Sequence, residues 1–152
     1  MRGSMAALPT MASPRHQARE AALQALYSWE VGGLDPGEAL DVCFAEHRRD
    51  APATVRDFAA TLVHGVTADV GALDTLIQAH CEHWRVERLA VIDRLILRLA
   101  TWELRHTREA DLPRAVILNE ALELARTFST DDAVGFVNGV LDAIRRALGS
   151  QA

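Results

Sequence analysis

The sequence predicts an all-α protein of about seven helices in two packed helical subdomains, and three observations carry that prediction. Apolar residues recur at steps of three and four through most of the chain, the spacing of one helix face. Capping signals such as Ser13-Pro14, Asp35-Pro36 and Ser129-Thr130 stand where those patterns begin. No segment sustains the period-two alternation of a half-buried strand, and Asn138-Gly139 falls inside a helical pattern rather than between β-branched runs.

Ser13 is placed to cap a first helix, with Pro14 at its opening position. Ala18, Ala22, Ala25, Leu26 and Trp29 form its apolar stripe, which leaves Arg15, Arg19 and Glu20 toward solvent. Gly32-Gly33 ends the helix, since glycine takes the left-handed conformation of a helix stop. Asp35-Pro36-Gly37-Glu38 has the spacing of a capping box and starts a short helix burying Leu40, Cys43 and Phe44; Asp50-Ala51-Pro52 breaks it. Phe58, Leu62, Val66, Val70, Leu73 and Ile77 then describe one long helix or two in line, with Gly65 and Gly71 as expected bends.

Trp84 falls in a connection. From Glu87 to about Arg105, Leu89, Ile92, Leu95, Ile96, Leu99 and Trp102 give a stripe wide enough for a central helix. Asp111-Leu112-Pro113 restarts the chain, and Ile117, Ala121, Leu124 and Phe128 mark the next face. Ser129-Thr130-Asp131-Asp132 combines a hydroxyl cap with carboxylates that the helix dipole favours. Val137, Val140, Leu141, Ile144 and Leu148 complete the last helix. The expected organisation is a disordered leader over residues 1–12 and one helical domain over 13–149, with halves at 13–82 and 83–149.

The bulk composition narrows function. At 152 residues, 49% hydrophobic and 24% charged, the chain has the balance of a soluble globular protein. No apolar run approaches the roughly 20 residues of a membrane span, and the start lacks an apolar segment suited to a signal peptide. With only Cys43 and Cys81, unclustered, reduced packed thiols and a cytoplasmic location are expected rather than a disulfide framework. Every Lys/Arg position is Arg, as codon bias in a GC-rich genome would produce. A net charge of −5 argues against indiscriminate coating of nucleic acid, because phosphate binding rests on cationic charge. Up to Glu20, however, the chain carries Arg2, Arg15 and Arg19 with no acidic residue.

Reactive constellations are absent from the pattern. There is no phosphate-cradling glycine loop, no nucleophile elbow and no His-Glu-x-x-His motif. His80-Cys81-Glu82-His83 is the most metal-like string, with both histidines on one helix face, but it lacks a second ligand pair; Cys43 and His47 are distant in sequence. No metal, no cofactor and no catalysis are expected. Glu87, Asp93, Arg94 and Arg98 suit a solvated helix face with helix-spaced ion pairs. Two features remain. Arg15 and Arg19 lie one turn apart at a helix start, where anions are favoured and Arg can hold phosphate through two hydrogen bonds; a plain charged first turn explains them equally well. Tyr27 falls off the apolar stripe, so it is a candidate for contact with a partner, against the commoner fate of core packing.

Several strings together resemble the NusB family. They are Arg15-His16-Gln17-Ala18-Arg19-Glu20 with Ala22-Leu23-Gln24-Ala25-Leu26-Tyr27, Val91 to Ala100 with Trp102-Glu103-Leu104, Ile117-Leu118-Asn119-Glu120-Ala121, Ala125-Arg126-Thr127-Phe128, and Phe136 to Asp142. Their order and spacing, from Arg15 to Ile144, carry the resemblance. It implies a seven-helix fold of two subdomains and a transcription antitermination factor that catalyses no reaction. Such factors bind boxA-type leader RNA together with NusE, a protein also found in the small ribosomal subunit, and help RNA polymerase read through terminators, notably in ribosomal RNA operons. By matching position, the resemblance puts Arg15, His16, Gln17 and Arg19 in an arginine-rich RNA-binding region and Asp132 and Phe136 near the RNA path. It puts Tyr27 and Asp93 at positions that hold NusE, with Arg94 as a neighbour. His16 and Gln17 stand where some relatives carry further Arg, which implies weaker binding of RNA alone and a shallower salt dependence. Homodimers are known in the family. A similar helical module accompanies a large catalytic domain in some ribosomal RNA methyltransferases, for which the chain's length leaves no room. A helical dimerising adaptor without RNA specificity is the alternative from another class.

Overall fold

The computed structural model describes residues 13–149, so the expected leader over residues 1–12 lies outside the described residues. Among the described residues there are seven α-helices, one short 3-10 turn and no strand, the class expected from the periodicity. The helices are α1 (Pro14–Glu30), α2 (Pro36–His47), α3 (Ala53–Ala68), α4 (Val70–Gln78), α5 (Val91–His106), α6 (Arg114–Phe128) and α7 (Asp131–Gly149); the 3-10 turn is Val86–Arg88. The chain forms two compact units, one through Val63 and one from His64.

In the first unit, the amide of His16 donates to Ser13 Oγ at 3.0 Å, and Pro14 occupies the first turn. α1 buries Ala18, Ala22, Ala25 and Leu26 as expected, together with Ala21 and Leu23, against α2. Arg19 departs from expectation: it is 3% exposed instead of facing solvent. Positions 19, 22, 23 and 26 share a helix face, and Ala22, Leu23 and Leu26 are all buried there. Trp29 is only half-buried, because it lies in the last turn, beyond most of the packed face. Gly33 has φ +73°, the left-handed stop that glycine permits. The Gly37 amide donates to Asp35 Oδ2 at 3.1 Å, and α2 then buries Ala39, Leu40, Cys43 and Phe44.

α3 runs without interruption through Gly65, so the bend expected there is not formed. A Cβ on residue 65 would overlap the Trp102 indole; the missing side chain admits the ring. The helix instead breaks at Asp69 (φ −125°, ψ 20°), and Gly71 is accommodated inside α4.

In the second unit α5 is the central helix, and it packs on α4, α6 and α7. It begins at Val91 and not at Glu87, which belongs to the 3-10 turn. Residues 94 through 101 are all buried, so the helix is enclosed rather than striped. This overturns the solvated face expected of Arg94 and Arg98. Arg94 is 9% exposed, and its Nη1 donates to the carbonyls of Leu89 at 3.1 Å and of Val86 and Glu87 at 3.5 Å. Arg98 is 6% exposed, and its fork donates to Asp74 Oδ1 and Oδ2 at 2.8 and 2.7 Å. Glu87 pairs with Arg85, at 2.7 Å, and not with a partner one helical turn away. At the head of α7 the Ala133 amide donates to Thr130 Oγ1 at 3.2 Å, and Asp131 and Asp132 fill the first turn. No helix among the described residues is long and apolar enough to cross a membrane.

Candidate nucleic-acid interface

The candidate residues of the first unit cluster at the head of α1. Arg15 is exposed, and its guanidinium lies over the Phe58 ring, 4.3 Å from the centroid. That contact fixes the cation while leaving the N–H groups at the guanidinium edge for an anion. Arg19 sits beside the same ring at 5.5 Å but is buried, so it supports this turn and does not present its charge. His16 Nε2 stands 3.3 Å from Glu20 Oε2, and Arg48 Nη2 reaches Glu20 Oε1 at 3.5 Å. Gln17 lines a cavity of about 320 Å³ with His47, Arg48, Arg49 and Asp50. Arg48 is held there, its Nε donating to Gln24 Oε1 at 3.0 Å. Arg49 is exposed and has no side-chain hydrogen bond or ion pair among the described residues. Tyr27 is 43% exposed on the same helix, in keeping with its place off the stripe.

In the second unit, Asp93, Asp132 and Phe136 line one cavity of about 320 Å³, which the heads of α5 and α7 create with the preceding turns. Asp93 Oδ1 accepts from Ser129 Oγ at 2.6 Å, which pins the start of α5 to the α6–α7 connection. Asp132 is exposed and has no side-chain partner among the described residues. Arg94 lies apart from this lining; its carbonyl bonds make it a brace for the turn that carries the cavity wall. Trp84, Arg88 and Thr130 also line it, beside Leu89, Ala90 and Ala133, and none of them is a site residue that the sequence indicates. Trp84 is 58% exposed, but an aromatic residue in a connection carries no sequence signal of its exposure.

His80-Cys81-Glu82-His83 is not one helix face, because α4 ends at Gln78 and the chain turns. His80 Nδ1 lies 3.1 Å from the Leu76 carbonyl and the Cys81 side chain is buried. Among the described residues no group of three or more His, Cys, Asp or Glu is arranged to hold a metal ion. Both cysteines are free and buried. Burial pushes the Cys43 thiol above its usual range, against the opposing pull of Arg48, and burial likewise raises Cys81.

This arrangement is the fold of the all-helical antitermination factors. NusB of T. maritima superposes with a TM-score of 0.79 at 32% identity, covering 88% of this chain and 92% of that one. A crystal structure of antitermination factors NusB and NusE in complex with dsRNA matches with a TM-score of 0.79 at 28% identity, over 88% of this chain and 97% of the matched chain. The chain belongs to the NusB family, whose family model matches residues 16–146. Transcription antitermination protein NusB of Koribacter versatilis (strain Ellin345) is 39% identical over 137 residues, 90% of this chain and 92% of that protein.

Proposed function

We propose that this chain is a transcription antitermination factor that binds boxA-type leader RNA together with NusE and promotes read-through by RNA polymerase, notably in ribosomal RNA operons. The observation that carries this reading is a family match across residues 16–146, joined to the likeness to a chain solved with NusE and RNA. The chain acts by binding, in the cytoplasm, and catalyses no reaction.

Residue roles follow from exposure and charge. Arg15, with its guanidinium on Phe58, holds a phosphate, and Gln17 and His16 flank it in the same turn. Arg19 is a support for that turn. Asp132 and Phe136 face RNA from the second unit, and neither is a phosphate ligand, because carboxylates repel phosphate and a phenyl ring has no donor. Tyr27, the exposed aromatic of α1, and Asp93 bind NusE, with Arg94 bracing the turn behind Asp93.

Equilibrium binding to a boxA-like oligomer and to a scrambled control, with and without NusE, tests this over a salt series. The boxA-like RNA should bind more tightly, and NusE should increase the difference. Arg15→Ala should weaken binding and flatten the dependence of log affinity on log salt by about 0.7, the contribution of one single-stranded phosphate contact. Equal affinity for both RNAs at every salt, unaffected by NusE, contradicts the reading.

A further inference from the structure

Glu20 carries the first side-chain carboxylate in the chain, and it stands among the cations at the head of α1. One of its oxygens lies 3.3 Å from His16 Nε2, one turn earlier on the same helix. The other lies 3.5 Å from Arg48 Nη2, at the end of α2. Gln24 also holds Arg48, accepting from its Nε at 3.0 Å. The connection after Arg48 is tied down as well, because Arg56 donates to the carbonyls of Arg49 and Ala51 at 2.9 and 3.0 Å. Arg48 is thus fixed in place, yet it lines the cavity that opens beside Gln17, with Arg49 and Asp50. The Arg48 and Glu20 side chains keep 21% and 23% of their exposure, and a pair this open contributes little to stability. Its electrostatic consequence is larger. The carboxylate takes up a guanidinium that could hold a phosphate, and it repels any phosphate that enters the cavity.

We propose that Glu20 is a built-in competitor of the RNA backbone: its carboxylate occupies Arg48, and a phosphate in the neighbouring cavity binds Arg48 only by displacing it. The proposal rests on the RNA-binding reading above and adds to it a contact that the folded chain withholds. Arg15, by contrast, has no ion pair among the described residues, so its cation meets phosphate without competition. Phosphate contacts position a nucleic acid and carry no sequence information. Glu20 therefore limits the sequence-independent part of RNA affinity and leaves discrimination to base contacts and to NusE.

Equilibrium binding of the full chain to the boxA-like and scrambled oligomers over a salt series, without NusE, tests this. Glu20→Gln keeps the size of the side chain and removes its charge. It should raise affinity for both RNAs by about tenfold at low salt, the contribution of one charge-assisted hydrogen bond. The dependence of log affinity on log salt should steepen by about 0.7, one added single-stranded phosphate contact. Arg48→Met keeps an apolar stem and loses the charge. Alone it should change affinity little, because Glu20 already holds that cation; combined with Glu20→Gln it should abolish the gain. Asp50→Asn removes the same charge from the cavity lining without touching the pair, so its gain should be smaller and should survive Arg48→Met.

Unchanged or weaker binding by folded Glu20→Gln overturns the proposal. A gain that persists in full in the Glu20→Gln, Arg48→Met double variant also overturns it, since Glu20 would then act by general repulsion. Helical circular dichroism shows which variants fold. Should Arg48→Met not fold, Glu20→Asp takes its place: it keeps the charge but draws it back from Arg48, so affinity should rise part of the way and the salt slope should steepen. No gain there overturns the proposal. The RNA reading is judged separately, from boxA-like against scrambled RNA with NusE present. Equal affinity in that comparison ends the boxA reading, while a Glu20→Gln gain on both RNAs still supports the competitor. If neither protein binds either RNA, both fail.

Discussion

Arg98 carries its charge into the second unit, where its fork meets the Asp74 carboxylate at 2.8 and 2.7 Å. Removing one partner of such a pair leaves a charge in a poorly solvated place, so Asp74→Ala should destabilise the protein by about 3 kcal/mol. Urea unfolding checks this, and a loss within about 0.5 kcal/mol would mean the pair is replaced by water without strain. The thiols offer a second check. Burial raises Cys43 and Cys81, so the folded state favours their neutral forms. Their contribution to stability is complete below the ordinary thiol range and is lost as pH rises through the raised values. A disulfide reagent at pH 8 should therefore label native protein slowly and unfolded protein fast. Arg19, Arg94 and Arg98 were the residues least legible in the sequence. An arginine has a long apolar stem and five donors, so it suits a solvated face and a buried brace equally well until its neighbours are known.

Among the elements, α1 and α7 were readable because their caps are local: Ser13 and Thr130 each accept from an amide three residues later. The start of α5 was not, because the bonds that hold Val86–Arg88 off the helix come from Arg94, on a later turn. Gly65 shows the same limit. Its sequence signal is a bend, yet its role depends on Trp102, far along the chain. Gly65→Ala should cost about 1–3 kcal/mol through overpacking. Adding Trp102→Leu should recover part of that loss, a non-additivity that thermal or urea unfolding of the four proteins would reveal. Strict additivity would place the cost of the alanine elsewhere.

At the scale of the molecule, the all-helical class was legible throughout, because helical periodicity persists over long stretches and capping is local. The division between Val63 and His64 was not, since it falls inside α3, where neither a proline nor a change of composition marks it. The candidate site was legible by halves. Arg15 and Tyr27 stand out from charge and helical phase. Asp93, Asp132 and Phe136 share a cavity only because two helix heads and the turns before them meet, which no local pattern encodes. A chain of net charge −5 that binds RNA must do so through a few placed contacts, and a weak salt dependence should accompany that economy.

Transcription from a promoter followed by a boxA element and a terminator, with RNA polymerase and NusE, tests the central claim most directly. Addition of this chain should raise the fraction of full-length transcript on the boxA template and not on a template with the element scrambled. Arg15→Ala should reduce that gain. Read-through that is the same with and without the chain, or the same on both templates, would contradict the account.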